Sequence, residues 1–167
     1  MLVLNCTRKL ADHLGLSISK EPPRKTTSTL GEWTATYFIY NDEPIYLFVN
    51  NVTLFSFTSK NVKLDNVKSE FLLGLVDALY RAGISFEAIN TIYEEYDQII
   101  FIKNTNRRIL GSINNLIYHY GYTIRRAKDN GNVNMDAVEA KMIKLPFKHL
   151  SYKYPIEMLM TKLKKGE

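Results

Sequence analysis

The stretch "EWTATYFIYNDEPIYLFVN" (residues 32–50) holds two β-rich runs on either side of one turn. "EWTATYFIY" (32–40) and "IYLFVN" (45–50) are dense in β-branched and aromatic residues, and "NDEP" supplies turn-forming residues between them. That pattern predicts an antiparallel hairpin. The second run is apolar almost throughout, which predicts burial on both faces. The next nine residues, "NVTLFSFTS" (51–59), are either a further extended segment or a tight connection.

Outward from the hairpin the period changes. Before it, "LVLNCT" (2–7) reads as a short strand and "TRKLADHLG" (7–15) as a helix, with Thr7 placed to cap it and Gly15 to end it. "SKEPPRKTTSTLG" (19–31) is polar and carries Pro22-Pro23, which predicts an exposed, mobile loop. After the hairpin, residues 66–83 place Phe71, Leu72, Leu75, Val76, Leu79 and Tyr80 on one helical stripe, with Gly83 positioned to end it. Residues 85–96 form a second helix from a Ser85 cap, 98–104 a short strand, and 106–121 a helix. Helices at 133–144, capped by Asn134, and 154–165, with Pro155 in the first turn, complete the chain. The expected architecture is α+β: an N-terminal antiparallel hairpin or small sheet packed against a set of helices, as one domain over 1–167.

Composition bounds the class. A chain of 167 residues can bury a substantial core, and its 46% hydrophobic and 23% charged fractions are those of a globular protein. No apolar run reaches the ~18 residues of a membrane span, and the N-terminus does not read as a signal peptide. One cysteine, Cys6, excludes an internal disulfide and fits a cytoplasmic setting. The net charge of +5 is unevenly spread: residues 1–97 hold 9 Lys+Arg against 12 Asp+Glu, and residues 98–167 hold 13 against 5. The second half therefore carries +8, which raises the expectation of a polyanionic partner.

Searching for chemistry removes most enzyme classes. His13, His119 and His149 are isolated in sequence and a lone Cys6 cannot build a zinc cluster, so no metal or other cofactor is expected. Neither GxxxxGK[ST], GxGxxG nor GxSxG occurs. Arg8 and His13 show the R-x4-H spacing of some helical ribonucleases, yet five residues turn a helix by about 500° and separate the two side chains. Asp129, Glu139 and Lys141 echo the D…E-x-K pattern of metal nucleases, but E-x-K shares a face only on a strand, and here it reads as helix. Glu94, Glu95 and Asp97 read as a solvated face at a helix end.

"NTNRRILGSINNL" (104–116) is more informative. Wound at about 100° per residue, Ile109, Leu110, Ile113, Leu116, Ile117 and Tyr120 share one apolar face. The opposite side carries Arg107, Arg108, Gly111, Ser112, Asn114, Asn115, Tyr118 and His119. Gly111 costs roughly 1 kcal/mol against Ala in a helix interior, and with Ser112 it removes bulk. Cations at a helix N-terminus oppose the macrodipole by about 0.3–1 kcal/mol each, a cost an anion relieves. The expected anion-binding set is Arg107, Arg108, Ser112, Asn114 and Asn115. The alternative is an internal carboxylate partner for one arginine.

Five pieces, "NCTRKL" (5–10), "GEWTA" (31–35), "LFVNNVTLFSF" (47–57), "TNRRILGSINNL" (105–116) and "YKYPIE" (152–157), run in order through the chain. On these the sequence resembles domain-of-unknown-function family 6933 of bacteria and phages. The resemblance implies a small intracellular protein linked to plasmids, phages or mobile elements, and no particular reaction. Relatives look like "GSMNDL" where this chain has "GSINNL", so Asn115 stands where Asp is common, which leaves hydrogen bonding as the shared capability. If the polar islands converge, Thr7, Lys9, Trp33 and Asn50 would line one pocket with Arg107.

Three classes of function fit. The leading expectation is a binding or accessory protein that recognises an anionic group of a nucleic acid, a nucleotide or an acidic protein surface, in a mobile-element, toxin–antitoxin or phage–host setting. The second is an enzyme acting on a phosphate-containing substrate, with Arg107 and Lys9 stabilising charge. The third is a protein–protein interaction module with a tyrosine-rich surface. No membrane partner is expected, and oligomeric state is not readable.

Overall fold

The hairpin forms as its composition dictates. Strands β2 (Trp33–Tyr40) and β3 (Glu43–Asn50) pair antiparallel from Tyr40↔Glu43 to Trp33↔Asn50. Asn41 and Asp42 make the turn, both with positive φ (49° and 62°), the geometry that matches strand twist in a two-residue hairpin. The computed structural model describes residues 1–21, 28–127 and 132–164. Pro22-Pro23 and the rest of 22–27, the centre of the expected loop, lie outside the described residues; at its far end Leu30 is fully buried.

The sheet is larger than a hairpin. The 51–59 segment resolves into a turn followed by β4 (Ser56–Ser59), antiparallel to β3. Strand β1 (Leu2–Cys6) lies parallel to β2, and β5 (Ile99–Lys103) lies parallel to β1. Together they make a five-stranded mixed sheet in the order β4-β3-β2-β1-β5. Six helices join it: α1 (Arg8–Leu14), α2 (Val67–Arg81), α3 (Phe86–Glu95), α4 (Arg107–Arg126), α5 (Met135–Met142) and α6 (Pro155–Lys164), with a 3-10 turn at Lys148–Leu150. This is an α+β single domain.

Two cores lie on opposite faces of the sheet. Strand alternation sends Leu2, Leu4, Trp33, Ala35, Phe48 and Phe57 to one face, where α1, α2, α3 and α6 cover them. Phe38, Ile45, Leu47 and Val49 point to the other face, under α4, α5 and Phe147. The apolar β3 run is thus buried on both faces. Helix α4 runs past Gly121 to Arg126, because Tyr120 and Ile124 continue its apolar ridge. Ser85 and Asn134 cap as their sequence positions suggest, accepting from the N–H groups of Ala88 and Ala137. Thr7 occupies the N-cap of α1 without a capping bond; its hydroxyl instead donates to Thr36 Oγ1 at 3.0 Å and ties the helix to β2.

Candidate anion-binding face

Helix α4 begins at Asn106, whose Oδ1 accepts from the N–H groups of Arg108 (3.1 Å) and Ile109 (3.2 Å). Asn106 N–H in turn donates to Asn104 Oδ1 at 2.9 Å. Two of the first-turn amides expected to help cradle an anion, those of Arg108 and Ile109, are therefore taken by the protein's own cap. The guanidinium groups carry the charge that remains for an anion. Arg107 and Arg108 are both exposed, and among the described residues no carboxylate pairs with either. Arg108 reaches only the His149 carbonyl, at 3.5 Å.

Further along α4 the solvent face is uniform in character. Arg107, Arg108, Gly111, Asn114, Asn115, Tyr118, Tyr122, Arg125 and Arg126 are all exposed. At about 100° per residue they fall within an arc of roughly 120°, and the two arginine pairs lie about 27 Å apart along the axis. The twenty residues of α4 include four arginines and no carboxylate. Tyr118 and Tyr122 are 65% and 45% exposed, and Arg126 lies over the Tyr122 ring at 5.4 Å. The distal arginines suit the negative end of the helix dipole; the proximal pair opposes the positive end.

A second element widens the basic region. The segment after α5 brings His149 against Ser112, with Ser112 Oγ 2.8 Å from His149 Nδ1. Burial, and then the Arg108 charge, push the His149 pKa below its ordinary 6.5. Ser112 also lies 3.2 Å from the Arg108 carbonyl, which makes it a brace between helix and segment. The Ser–His pair has the reach of a nucleophile and base, but no hydrogen bond among the described residues orients His149 Nε2. An open hollow lies here, lined by Asn51, Val52, Arg108, His149, Ser151 and Lys153 among others. His149, Lys153, Arg125 and Arg126 were not among the residues expected from sequence. Their signal was present: residues 144–154 hold three lysines and a histidine without an acid.

The other expected pocket residues are placed elsewhere. Trp33 and Asn50 oppose each other in register, so both point to the sheet face away from α4. The Trp33 ring is fully buried against Phe57 and Phe71, and its Nε1–H donates to Tyr96 Oη at 3.0 Å. Asn50 is fully buried: its Nδ2 donates to the Leu30 carbonyl, and its Oδ1 accepts from Thr53 N and Thr53 Oγ1. Lys9 sits 5.2 Å from the Tyr37 ring centroid, and desolvation lowers its pKa. None of Thr7, Lys9, Trp33 or Asn50 shares the α4 face with Arg107. What the polar islands do form is internal. Asn104 Nδ2 donates to Thr34 Oγ1 (2.8 Å), Thr34 to Asn51 Oδ1 (2.7 Å), and Asn5 to Glu32 Oε2 (2.9 Å). That network stitches β1, β2, the post-β3 turn and the α4 entry together.

Other nuclease-like residues also find structural partners. Arg8 is exposed and faces Asp12, whereas His13 stacks on Tyr37 and bonds Tyr46 Oη at 3.0 Å. Glu139 is buried in α5, where it accepts from Thr58 and from Arg81; Asp129 lies outside the described residues. Glu95 caps the 28–31 turn through Thr29, and Asp97 faces the Met1 amino group. Burial raises the Cys6 thiol to about 12, which makes it an inert core residue.

The fold and this face define a class, a mixed-sheet α+β domain with one basic helical layer. The family model for a domain of unknown function, DUF6933, matches residues 3–158, and the chain belongs to that family. No curated protein matches it. No helix among the described residues is long and apolar enough to cross a membrane.

Proposed function

We propose that this protein is a binding protein for a polyanion, nucleic acid foremost, with the solvent face of α4 as the contact surface. The observation that carries this reading is the composition of that face: four exposed arginines, no carboxylate, and asparagines and tyrosines between them. Guanidinium groups neutralise phosphates, exposed tyrosines stack on bases, and asparagines donate and accept at base edges. The hollow at Arg108 and Lys153 extends the positive surface beyond the helix. A mobile-element or phage–host setting, which the family resemblance implies, is part of the same proposal.

Fluorescence anisotropy with labelled single-stranded and duplex oligonucleotides tests it. Binding is expected at low salt, and the charge reversals Arg107→Glu and Arg125→Glu each weaken it without lowering the melting temperature. No binding at low salt, or binding indifferent to both reversals, would overturn the reading.

A further inference from the structure

The opposite layer has a surface of a different kind. Along α2, Leu73, Val76 and Tyr80 form a helical i, i+3, i+7 stripe, with Leu73 67% and Tyr80 72% exposed. Along α3, Phe86 and Tyr93 share a face at i, i+7, and they are 78% and 50% exposed. Leu72, Leu73, Val76 and Tyr93 line one open cleft between the helices. Large apolar side chains gathered on a surface in this way mark contact sites, and aromatic anchors dominate such contacts.

The cleft lies in an acidic layer of a basic chain, and its own lining holds Asp65 and Lys68. Residues 65–97 hold 2 Lys+Arg and 7 Asp+Glu, giving 2 − 7 = −5, and the remaining residues hold 20 and 10, giving +10. Glu70 and Glu95 are engaged with Ser59 and Thr29. Asp65, Glu87 and Glu94 are exposed on the same two-helix layer, whereas the exposed Asp77 is paired with Arg81 at 2.9 Å.

From this juxtaposition we infer that the α2–α3 cleft docks a basic amphipathic helix of a partner protein. Aliphatic residues at i, i+3/4 and i+7 of that helix fill the cleft, and its lysines or arginines meet the surrounding carboxylates. A second copy of this chain does not fit. Symmetric pairing would set this acidic layer of one copy against the same acidic layer of the other. The chain's own basic helix, α4, spends its aliphatic ridge in the core.

The test is an NMR amide-shift titration of the full chain with a synthetic amphipathic Leu/Lys helix, alongside the same peptide carrying Glu for Lys. The Lys peptide is expected to shift amides of Ser69–Tyr80 and Phe86–Tyr93. Leu73→Asp or Tyr80→Ala is expected to weaken binding about 10-fold. Both residues are exposed, so melting temperatures stay near wild type. Joint reversal of Asp65 and Glu94 to Lys lowers affinity for the Lys peptide and raises it for the Glu peptide. Equal binding of the two peptides, shifts confined to α4, no binding, or self-association of the protein that Leu73→Asp abolishes would each overturn the proposal.

Discussion

Gly74 of α2 and Gly111 of α4 both lie inside a helix, and they answer to different constraints. A Cβ added at Gly74 would lie 2.7 Å from Cε2 of the buried Phe57 ring, so α2 needs glycine to sit down on the sheet. A Cβ added at Gly111 meets nothing within 4 Å. Packing explains the first and leaves the second open. The layers around them differ in the same sense. The α2–α3 layer is acidic and leaves apolar side chains in water; the α4 layer is basic, and its exposed apolar side chains are tyrosines. A glycine in a helical pattern thus carries no single meaning. Its neighbours in space decide, and those are far away in sequence.

The contrast between the layers breaks most severely where they meet. Glu139 of α5 reaches past β4 to Arg81 of α2 (2.7 Å) and also accepts from Thr58 N and Oγ1 (2.7 and 2.6 Å). Glu139→Ala leaves those donors without their partner and is expected to cost about 3 kcal/mol in urea unfolding. A cost below about 0.5 kcal/mol would show that the seam is incidental. The glycine pair comes next. Gly74→Ala forces the Phe57 ring to move and is expected to destabilise by about 1–3 kcal/mol. Gly111→Ala is expected to stabilise by roughly 1 kcal/mol, from helix propensity alone. If Gly111→Ala also weakens oligonucleotide binding, a ligand approaches the backbone there; unchanged binding places the contact on the side chains only.

A smaller effect is expected from pH. The His149 pKa is lowered in the folded chain, first by burial and then by Arg108. Between that lowered value and the ordinary 6.5, the folded chain binds fewer protons than the unfolded chain. The stability this contributes is present above 6.5 and is lost as pH falls through that window. A bound polyanion works in the opposite direction, because it favours imidazolium beside Arg108. Affinity is therefore expected to rise as pH falls from about 7.5 to about 5.5, and His149→Gln should flatten that rise. An identical pH profile in the variant would remove His149 from the site.

Much of the fold was legible because it is local. The hairpin, the helices and the caps of α3 and α5 come from period and punctuation. The parallel pairing of β1 with β2 and β5 was not legible, since nothing in "LVLNC" or "IIFIK" names its neighbour. The site divided along the same line. The exposure of Arg107, Arg108, Asn114 and Asn115 was legible from one helical wheel. Trp33 and Asn50 were misjudged as pocket residues because polar or aromatic character looks alike in a pocket and in a core. Only the register shows that they face away from α4. His149 lay 37 residues from Ser112, and no local pattern links them.

The most direct test of the polyanion reading is the salt dependence of oligonucleotide affinity, wild type against the double variant Arg107→Ala, Arg108→Ala. Each lost phosphate contact should reduce the slope of log Kd against log salt by about 1. The expected result is steep weakening with salt in the wild type and a slope shallower by about 2 in the variant, at unchanged melting temperature. A wild-type affinity that does not vary with salt, or a slope the variant leaves untouched, would contradict the assignment of the α4 face.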